Sequence, residues 1–497
     1  MKKNVLALSI AAMIGGLGFV GSASAALTVA ESGAGHMLLV PYYTAQNGNM
    51  TVLHVVNTDT AHGKAMKVRF RGASNSDDVL DFQVFMSPGD VWTAAVTQGS
   101  DGVAQLVTAD NTCTLPSISS GVPVSFVQDR LSPALNAADK ANNTREGYVE
   151  IFNMADIDNA AIYVPPLNTS QAPLYVATKH VNGVAPCTSS VLNGTLTTGA
   201  ATTGLLAPTT GLTGSWYIIN VPETTTYAGA MTAIKSDAAT NNVFSPQATG
   251  ATALLSADPL FDAGVLVKQA YDVPDLSTPY DATYATASAQ ATALTTTLAA
   301  QSVINQYAND ASITAKTDWV FSMPTRRYNI AANYAAPISQ ASASTTEAGV
   351  ITYNGGATAA TAYRYINSDV ALFFSNVANT SVNSIGQICT SATGQVFYDR
   401  EETSKTSGAV FSPGTISKTQ LCGEVSVLSF ADAGMSVLGS SVARSNVSGV
   451  YTNGWGQVNF AAPGVPVIGA SFIKLSNPNA NAGTSGTYGI TWPHAKK

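Results

Sequence analysis

The sequence predicts a mainly β protein: antiparallel β-sandwich regions of immunoglobulin-like type, with a partly helical, alanine-rich segment between them. Three observations predict it. Between residues 36 and 97, five short runs of β-prone residues, two of them alternating cleanly in polarity, are separated by turn signals. Similar β-prone runs recur after residue 394. From Ala282 to about Ala308 the chain is dominated by alanine with no proline or glycine, the one stretch where helix outcompetes strand.

The first elements are the clearest. His36–Tyr43 and Met50–Val56 flank Gln46-Asn-Gly-Asn49, an Asn-Gly turn between β-rich runs and a strong hairpin signal. Met66, Val68 and Phe70 alternate with Lys67, Arg69 and Arg71, which predicts a strand with one face in water. Leu80, Phe82, Val84 and Met86 repeat the period, and a Ser87-Pro-Gly-Asp90 turn leads into Val91–Val96. Strands are further expected at Glu146–Phe152, Leu174–Thr178 and Ser215–Val221. Thr188–Gly214 is expected to be an exposed loop closed by Cys187 at its base. Asp272–Tyr280 is turn chemistry that should wrap over a sheet. Beyond the alanine-rich segment, strands are expected at Thr317–Tyr328, Gln395–Tyr398, Cys422–Phe430, Gly456–Phe460 and Val467–Ile473. Ser339–Ala360 reads as a linker or long loop with one short strand, Val350–Tyr353. The organisation expected is a signal peptide at 1–25, a β-sandwich region at 26–225, a mixed segment at 226–340 and a β-rich region at 341–497.

Composition bounds the function. Of 497 residues, 11% are charged, where ordinary soluble domains carry about 25%. A 45% hydrophobic fraction is enough for a core, and so few Lys and Arg leave no basic footprint for nucleic acid or anionic lipid. Lys2 and Lys3, the apolar run Val5–Val20 and Ala23-Ser-Ala25 form a Sec signal-peptide pattern, so export is expected, to the cell surface or medium with the periplasm as a further destination. No later run of 18 apolar residues predicts a transmembrane helix. The four cysteines suit an oxidising compartment. Nearest-neighbour pairing predicts Cys113–Cys187 and Cys389–Cys422, while zinc lacks any Cys-x2-Cys spacing.

Candidate chemistry is sparse. The acidic cluster Asp399-Arg-Glu-Glu402 is the first place to look for a site. On a strand Asp399 and Glu401 would share one face and Glu402 the other, with Arg400 paired to a carboxylate. Asp156 and Asp158 open like a calcium loop, but Ala160 and Ala161 stand where a further ligand and the turn glycine belong. No cofactor is expected, with calcium the one candidate. His54, in a hydrophobic strand, is expected to be a hydrogen-bonded structural histidine. There is no Gly-x-Ser-x-Gly elbow, no His-Glu-x-x-His and no phosphate-binding glycine fingerprint, so no catalytic residue is assigned and the chain reads as non-enzymatic. Trp92, Trp216 and Trp319 are expected in the core. Trp455, between Gly454 and Gly456, is the candidate for an exposed platform that stacks on a sugar ring.

His36–Tyr43, Ser87-Pro-Gly-Asp-Val-Trp92, Asp275-Leu-Ser-Thr-Pro-Tyr280, Asp318–Thr325 and Asn453-Gly-Trp-Gly456 together resemble a group of exported proteobacterial cell-surface proteins. The resemblance implies an exposed β protein of a Gram-negative envelope. With the low charge it leads to three expectations in order: a surface-layer-like or coat subunit whose partners are its own copies or other envelope components, an adhesin or glycan-binding module, and a secreted hydrolase using Asp399, Glu401 or Glu402.

Overall fold

The computed structural model describes residues 27–132, 135–164, 168–195, 204–238, 240–247, 261–262, 265–266, 273–332, 346–347, 350–354, 362–365, 373–374, 379–383, 385–405, 419–430, 436–442, 444–447, 450–481 and 484–497. The expected signal peptide at 1–25 and most of Ser339–Ala360 lie outside the described residues. Within the latter, Val350–Asn354 is a strand, as expected.

The protein is mainly β with antiparallel sheets. In chain order the first strands are β1 (Leu27–Val29), β2 (Met37–Thr44), β3 (Asn49–Asn57), β4 (Gly63–Gly72), β5 (Asp78–Met86), β6 (Val91–Gln98), β7 (Ala104–Val107), β8 (Cys113–Leu115), β9 (Val124–Ser125), β10 (Glu146–Ile157), β11 (Ala161–Val164), β12 (Asn168–Gln171), β13 (Leu205–Leu206), β14 (Leu212–Asn220), β15 (Thr225–Ala230) and β16 (Thr232–Ser236). They form an eight-stranded sheet in the order β1-β16-β2-β10-β4-β5-β8, with β13 paired to β10, and a six-stranded sheet in the order β15-β14-β3-β6-β7-β9. The expected Asn47-Gly48 turn is present, both residues taking positive φ, but the hairpin it signals does not form. β2 pairs with β10 and β16 and β3 with β14 and β6, so the turn passes the chain from one sheet to the other.

Period-two alternation divides each strand between two environments. From β4, Met66, Val68 and Phe70 enter the core shared with Leu53, Val55, Trp92 and Trp216 of the six-stranded sheet. Two five-stranded sheets follow, one holding Ser302–Ala308, Gly394–Tyr398 and Asn453–Asn459, the other Lys316–Ser322, Val425–Ser429 and Ile468–Asn481. In Lys316–Ser322 the alternation serves two cores. Trp319 and Phe321 face Phe397 and Val458, while Val320 joins Val427 and Phe472 in the core of the first two sheets. Trp92, Trp216 and Trp319 are buried, as expected.

Four expected elements are corrected. Thr188–Gly214 is not one exposed loop: Ser189–Gly194 is a short helix with Leu192 buried, Leu205–Leu206 pairs with β10, and β14 begins at Leu212. Leu174–Thr178 is a helical turn, not a strand: Pro173 sits at its first position, where a fixed φ suits a helix start, and Leu174, Tyr175, Ala177 and Thr178 are buried. The alanine-rich helix runs only over Ala287–Leu298. It is capped by Thr286, whose hydroxyl accepts the Ala289 N–H at 3.2 Å, and the chain turns extended at Ala299 so that Ser302–Ala308 can pair with Asn453–Asn459. The strand expected at Thr317–Tyr328 stops at Ser322, and Arg326–Tyr328 is a single 3-10 turn.

The largest correction concerns β4, whose charged face is not in water. All ten of its residues are buried. Residues 273–298 cover the outer face of the eight-stranded sheet, as the turn chemistry of Asp272–Tyr280 predicts. Leu276, Tyr280, Leu294 and Leu298 pack on Met37, Leu39, Phe152 and Ile234. Farther along the same face, Leu174, Tyr175 and Leu192 pack on Phe85, Ala155 and Ile157.

The disulfides are Cys113–Cys187, bridging residues 74 apart, and Cys389–Cys422, bridging residues 33 apart, and no described cysteine is free. No helix among the described residues is long and apolar enough to cross a membrane.

Candidate functional site

The charges of β4 and its neighbours form a buried array of ion pairs. Lys67 reaches Asp81 at 2.5 Å and Gln247 at 2.8 Å. Arg69 reaches Asp78 at 2.5 Å, and Arg71 reaches Glu150 at 3.4 Å. Opposite them, Arg326 pairs with Glu424 at 2.9 Å and donates to the carbonyls of Ile388 and Gly423 at 2.9 and 2.7 Å. Burial pushes the Glu150 and Glu424 carboxyls up, with Arg71 and Arg326 opposing. Burial also works against ionised Asp275, yet the guanidiniums of Arg327, Arg71 and Arg69 hold its carboxyl down. Chemically the array fixes the covering segment in place, because a buried charge tolerates only a narrow geometry of countercharge. Its signal in the sequence was the basic alternation of β4, which equally describes a wet face.

The expected calcium ligands part company. Asp156 accepts Lys64 Nζ at 2.7 Å, Asn153 Nδ2 at 2.8 Å and Thr209 Oγ1 at 2.6 Å, while Asp158 caps the end of β10 by accepting the Ala160 N–H at 2.9 Å. Asp59, His62 and Asp156 do bring ligand atoms within 4.8 Å of one another. The Lys64 ammonium stands among them, 3.2 Å from Asp59 as well, and supplies the cation. Despite partial burial, the backbone N–H groups of Ala61 and His62 and the Lys64 charge hold Asp59 down to about 2.

Asp399–Glu402 is a turn, not a strand. Asp399 Oδ1 accepts the N–H of Glu401 at 2.9 Å and of Thr403 at 2.8 Å, and Glu402 takes φ +66°. The side-chain oxygen of Asp399 thus serves the local backbone, and Glu401 and Glu402 point into water. The facing argued from strand geometry does not hold, and no two of these carboxylates flank a cleft.

Trp455 is 40% exposed. Tyr398, its cross-strand partner, stacks on it with ring centroids 4.3 Å apart and planes 12° apart, so one face of the indole is already covered. The flanking glycines serve packing. A Cβ on Gly454 would strike the Tyr398 carbonyl oxygen at 1.8 Å, and one on Gly456 would meet the Phe397 ring at 2.4 Å. Sequence reasoning missed Tyr398 because strand pairing, not spacing, joins it to Trp455.

The second surface feature is the outward face of the six-stranded sheet. Register aligns Ala228, Tyr217, Val52, Ala95 and Val107 in one row across five strands. Met50, Val56 and Ile219 flank this row and are half-buried, while Tyr217 is 37% and Val91 36% exposed. His54 lies on this face beside Ser215 and Thr93, so it looks outward and is not the hydrogen-bonded structural histidine expected. None of the outward residues of β3, β6, β7, β14 and β15 is Asp, Glu, Lys or Arg. The face can exclude water against another surface, and among its outward residues only His54 carries an imidazole.

No family model matches the chain, and neither a curated protein nor a solved structure is found similar to it.

Proposed function

We propose that this chain is an exported structural protein of a Gram-negative envelope or cell surface that associates with its own copies, as a surface-layer or coat subunit does. One observation carries the reading: the distribution of charge. Of 23 basic residues in the chain, Lys64, Lys67, Arg69, Arg71, Arg326 and Arg327 are buried in the interior. Carboxylates such as Asp78, Glu150, Asp156 and Glu424 are buried with them, so a chain already poor in charge draws charge of both signs inward and leaves a broad β face with no Asp, Glu, Lys or Arg. Neutral faces favour association, since net charge is what keeps proteins apart. Two disulfides suit an oxidising location, and the paired N-terminal sheets are read as an immunoglobulin-like sandwich. The resemblance to exported proteobacterial surface proteins agrees with this.

The test is surface proteolysis of intact cells together with negative-stain microscopy of cells and of purified protein. Protection from protease, or a strictly monomeric protein with no lattice or filament, with and without calcium, would overturn it. A second reading, glycan binding, is favoured by the exposure of Trp455 beside Tyr398. It requires glycan-array signals that vanish in Trp455→Ala.

A further inference from the structure

We propose that the outward face of the six-stranded sheet seats a second copy of this chain, packed face to face about a two-fold axis. The proposal rests on the self-association reading and names the surface that performs it.

Three observations select a second copy as the occupant. Two identical faces without Asp, Glu, Lys or Arg meet without the like-charge repulsion that otherwise defeats self-pairing of an acidic chain. The carboxylates nearest the rim are already engaged: Glu223, in the β14–β15 turn, pairs with Lys474, Asp90, at the start of β6, lies 3.5 Å from His180, and Asp59, just past β3, lies 3.2 Å from Lys64. Asp110 accepts the backbone N–H groups of Thr93 and Thr112 at 3.0 and 2.8 Å. Lys474 and Lys64 thus offset two of the rim carboxylates, and the face itself asks for no charged partner.

Size fits as well. Five strands about 4.8 Å apart, and six residue steps of about 3.4 Å from Met50 to Val56, give a face roughly 20 Å by 20 Å. Two such faces cover on the order of 800 Å² in flat projection before side-chain relief is counted, which approaches the roughly 1,200 Å² at which specific interfaces begin. Sheets packed this way interdigitate side chains about 10 Å apart, as Val52, Ile219 and Met50 can, and an exposed tyrosine such as Tyr217 is a side chain that anchors interfaces. A two-fold arrangement follows because one self-complementary patch closes on itself.

The experiment is light scattering behind size exclusion and sedimentation over a concentration series, with wild type, Val52→Lys, Tyr217→Ser and, as a control on a different sheet, Trp455→Ala. Thermal melts confirm that each variant is folded, and Tyr217→Ser decides the matter if the lysine variant does not fold. Wild type and Trp455→Ala should show a dimer. Val52→Lys should weaken it by about a hundredfold or more, since each copy would bury an unpaired ammonium. Association that survives both face variants overturns the proposed surface while leaving self-association intact. A wild type that stays monomeric up to about 100 μM, where an interface of this size should be populated, overturns both.

Discussion

Glu146 of the first sheet accepts the hydroxyl of Ser440 at 2.7 Å, an interaction between residues 294 positions apart that fastens the loop 436–442 to the start of β10, beside the β2–β3 turn. The same carboxylate accepts from Tyr42 Oη at 3.1 Å, Gln46 Nε2 at 3.0 Å and the Ser441 N–H at 2.7 Å. Asn49 Nδ2 donates to the Leu438 carbonyl at 2.8 Å. Gly439, at φ +68°, comes so close to Asn47 that a Cβ there would lie 2.6 Å from the Asn47 Cβ.

Glu146→Ala should therefore cost roughly 3 kcal/mol or more, because several buried donors lose their acceptor at once. Glu146→Gln, which keeps an acceptor oxygen, should cost clearly less. Urea unfolding with an unchanged m-value reads both. Equal losses would show that the carboxylate is not what holds the loop.

Arg326 and Glu424 provide a test of the buried ion array. Glu424→Gln strips the countercharge from a fully buried guanidinium, so a loss of about 3–5 kcal/mol is expected. Arg326→Met alone should be similarly costly. The double variant should lose at least about 1 kcal/mol less than the sum, which a double-mutant cycle measures.

Acid should destabilise the protein through two histidines. His494 donates from Nε2 to the Val320 carbonyl at 2.8 Å and accepts from Asn305 Nδ2 on Nδ1 at 2.9 Å, and burial pushes it down to about 3. His36, buried and accepting the Ser236 N–H on Nδ1, is pushed down to about 4 by the same cause. Both folded values lie below the unfolded value of 6.5, so between them the unfolded chain binds more protons. The stability they contribute is fully present above pH 6.5 and falls by as much as about 1.4 kcal/mol per pH unit and per histidine as pH drops toward 4. His494→Gln should lower stability at pH 7 and flatten this acid slope relative to wild type. An unchanged slope in chemical denaturation from pH 7 to 4 would rule His494 out.

Removing either disulfide should destabilise the chain by about 2–4 kcal/mol, and Cys113–Cys187, which closes the longer loop, should cost more than Cys389–Cys422. Paired Cys→Ser variants compared by thermal melting without reductant check the order.

Much of the fold was legible because it is local. The Asn47-Gly48 turn, the alternation of β4 and β5 and the wrapping turn ending at Tyr280 follow from residue types at short spacing, while the cysteine pairs, 74 and 33 residues apart, follow from there being only four cysteines to pair in chain order. Leu174–Thr178 was misread because a five-residue apolar run fits strand and helix alike, and only the missing sheet partner and Pro173 decide it. At the candidate surfaces, Trp455 was visible as an aromatic between glycines. Tyr398 and the row through Tyr217 and Val52 were not, since they exist only once strands distant in sequence pair in a definite register.

The sequence by itself determined which strands alternate, which segment is helical and how few charges the chain has, because these are one-dimensional patterns. Tertiary structure alone decided which face of each strand meets water. Lys67, Arg69 and Arg71 look like a solvated face until residues 273–298 and the Arg326–Tyr328 turn close over them, and Met50, Val52 and Val56 look like core until nothing described is found packed over them. Alternation fixes that two faces differ, and what covers each face is set by parts of the chain hundreds of residues away.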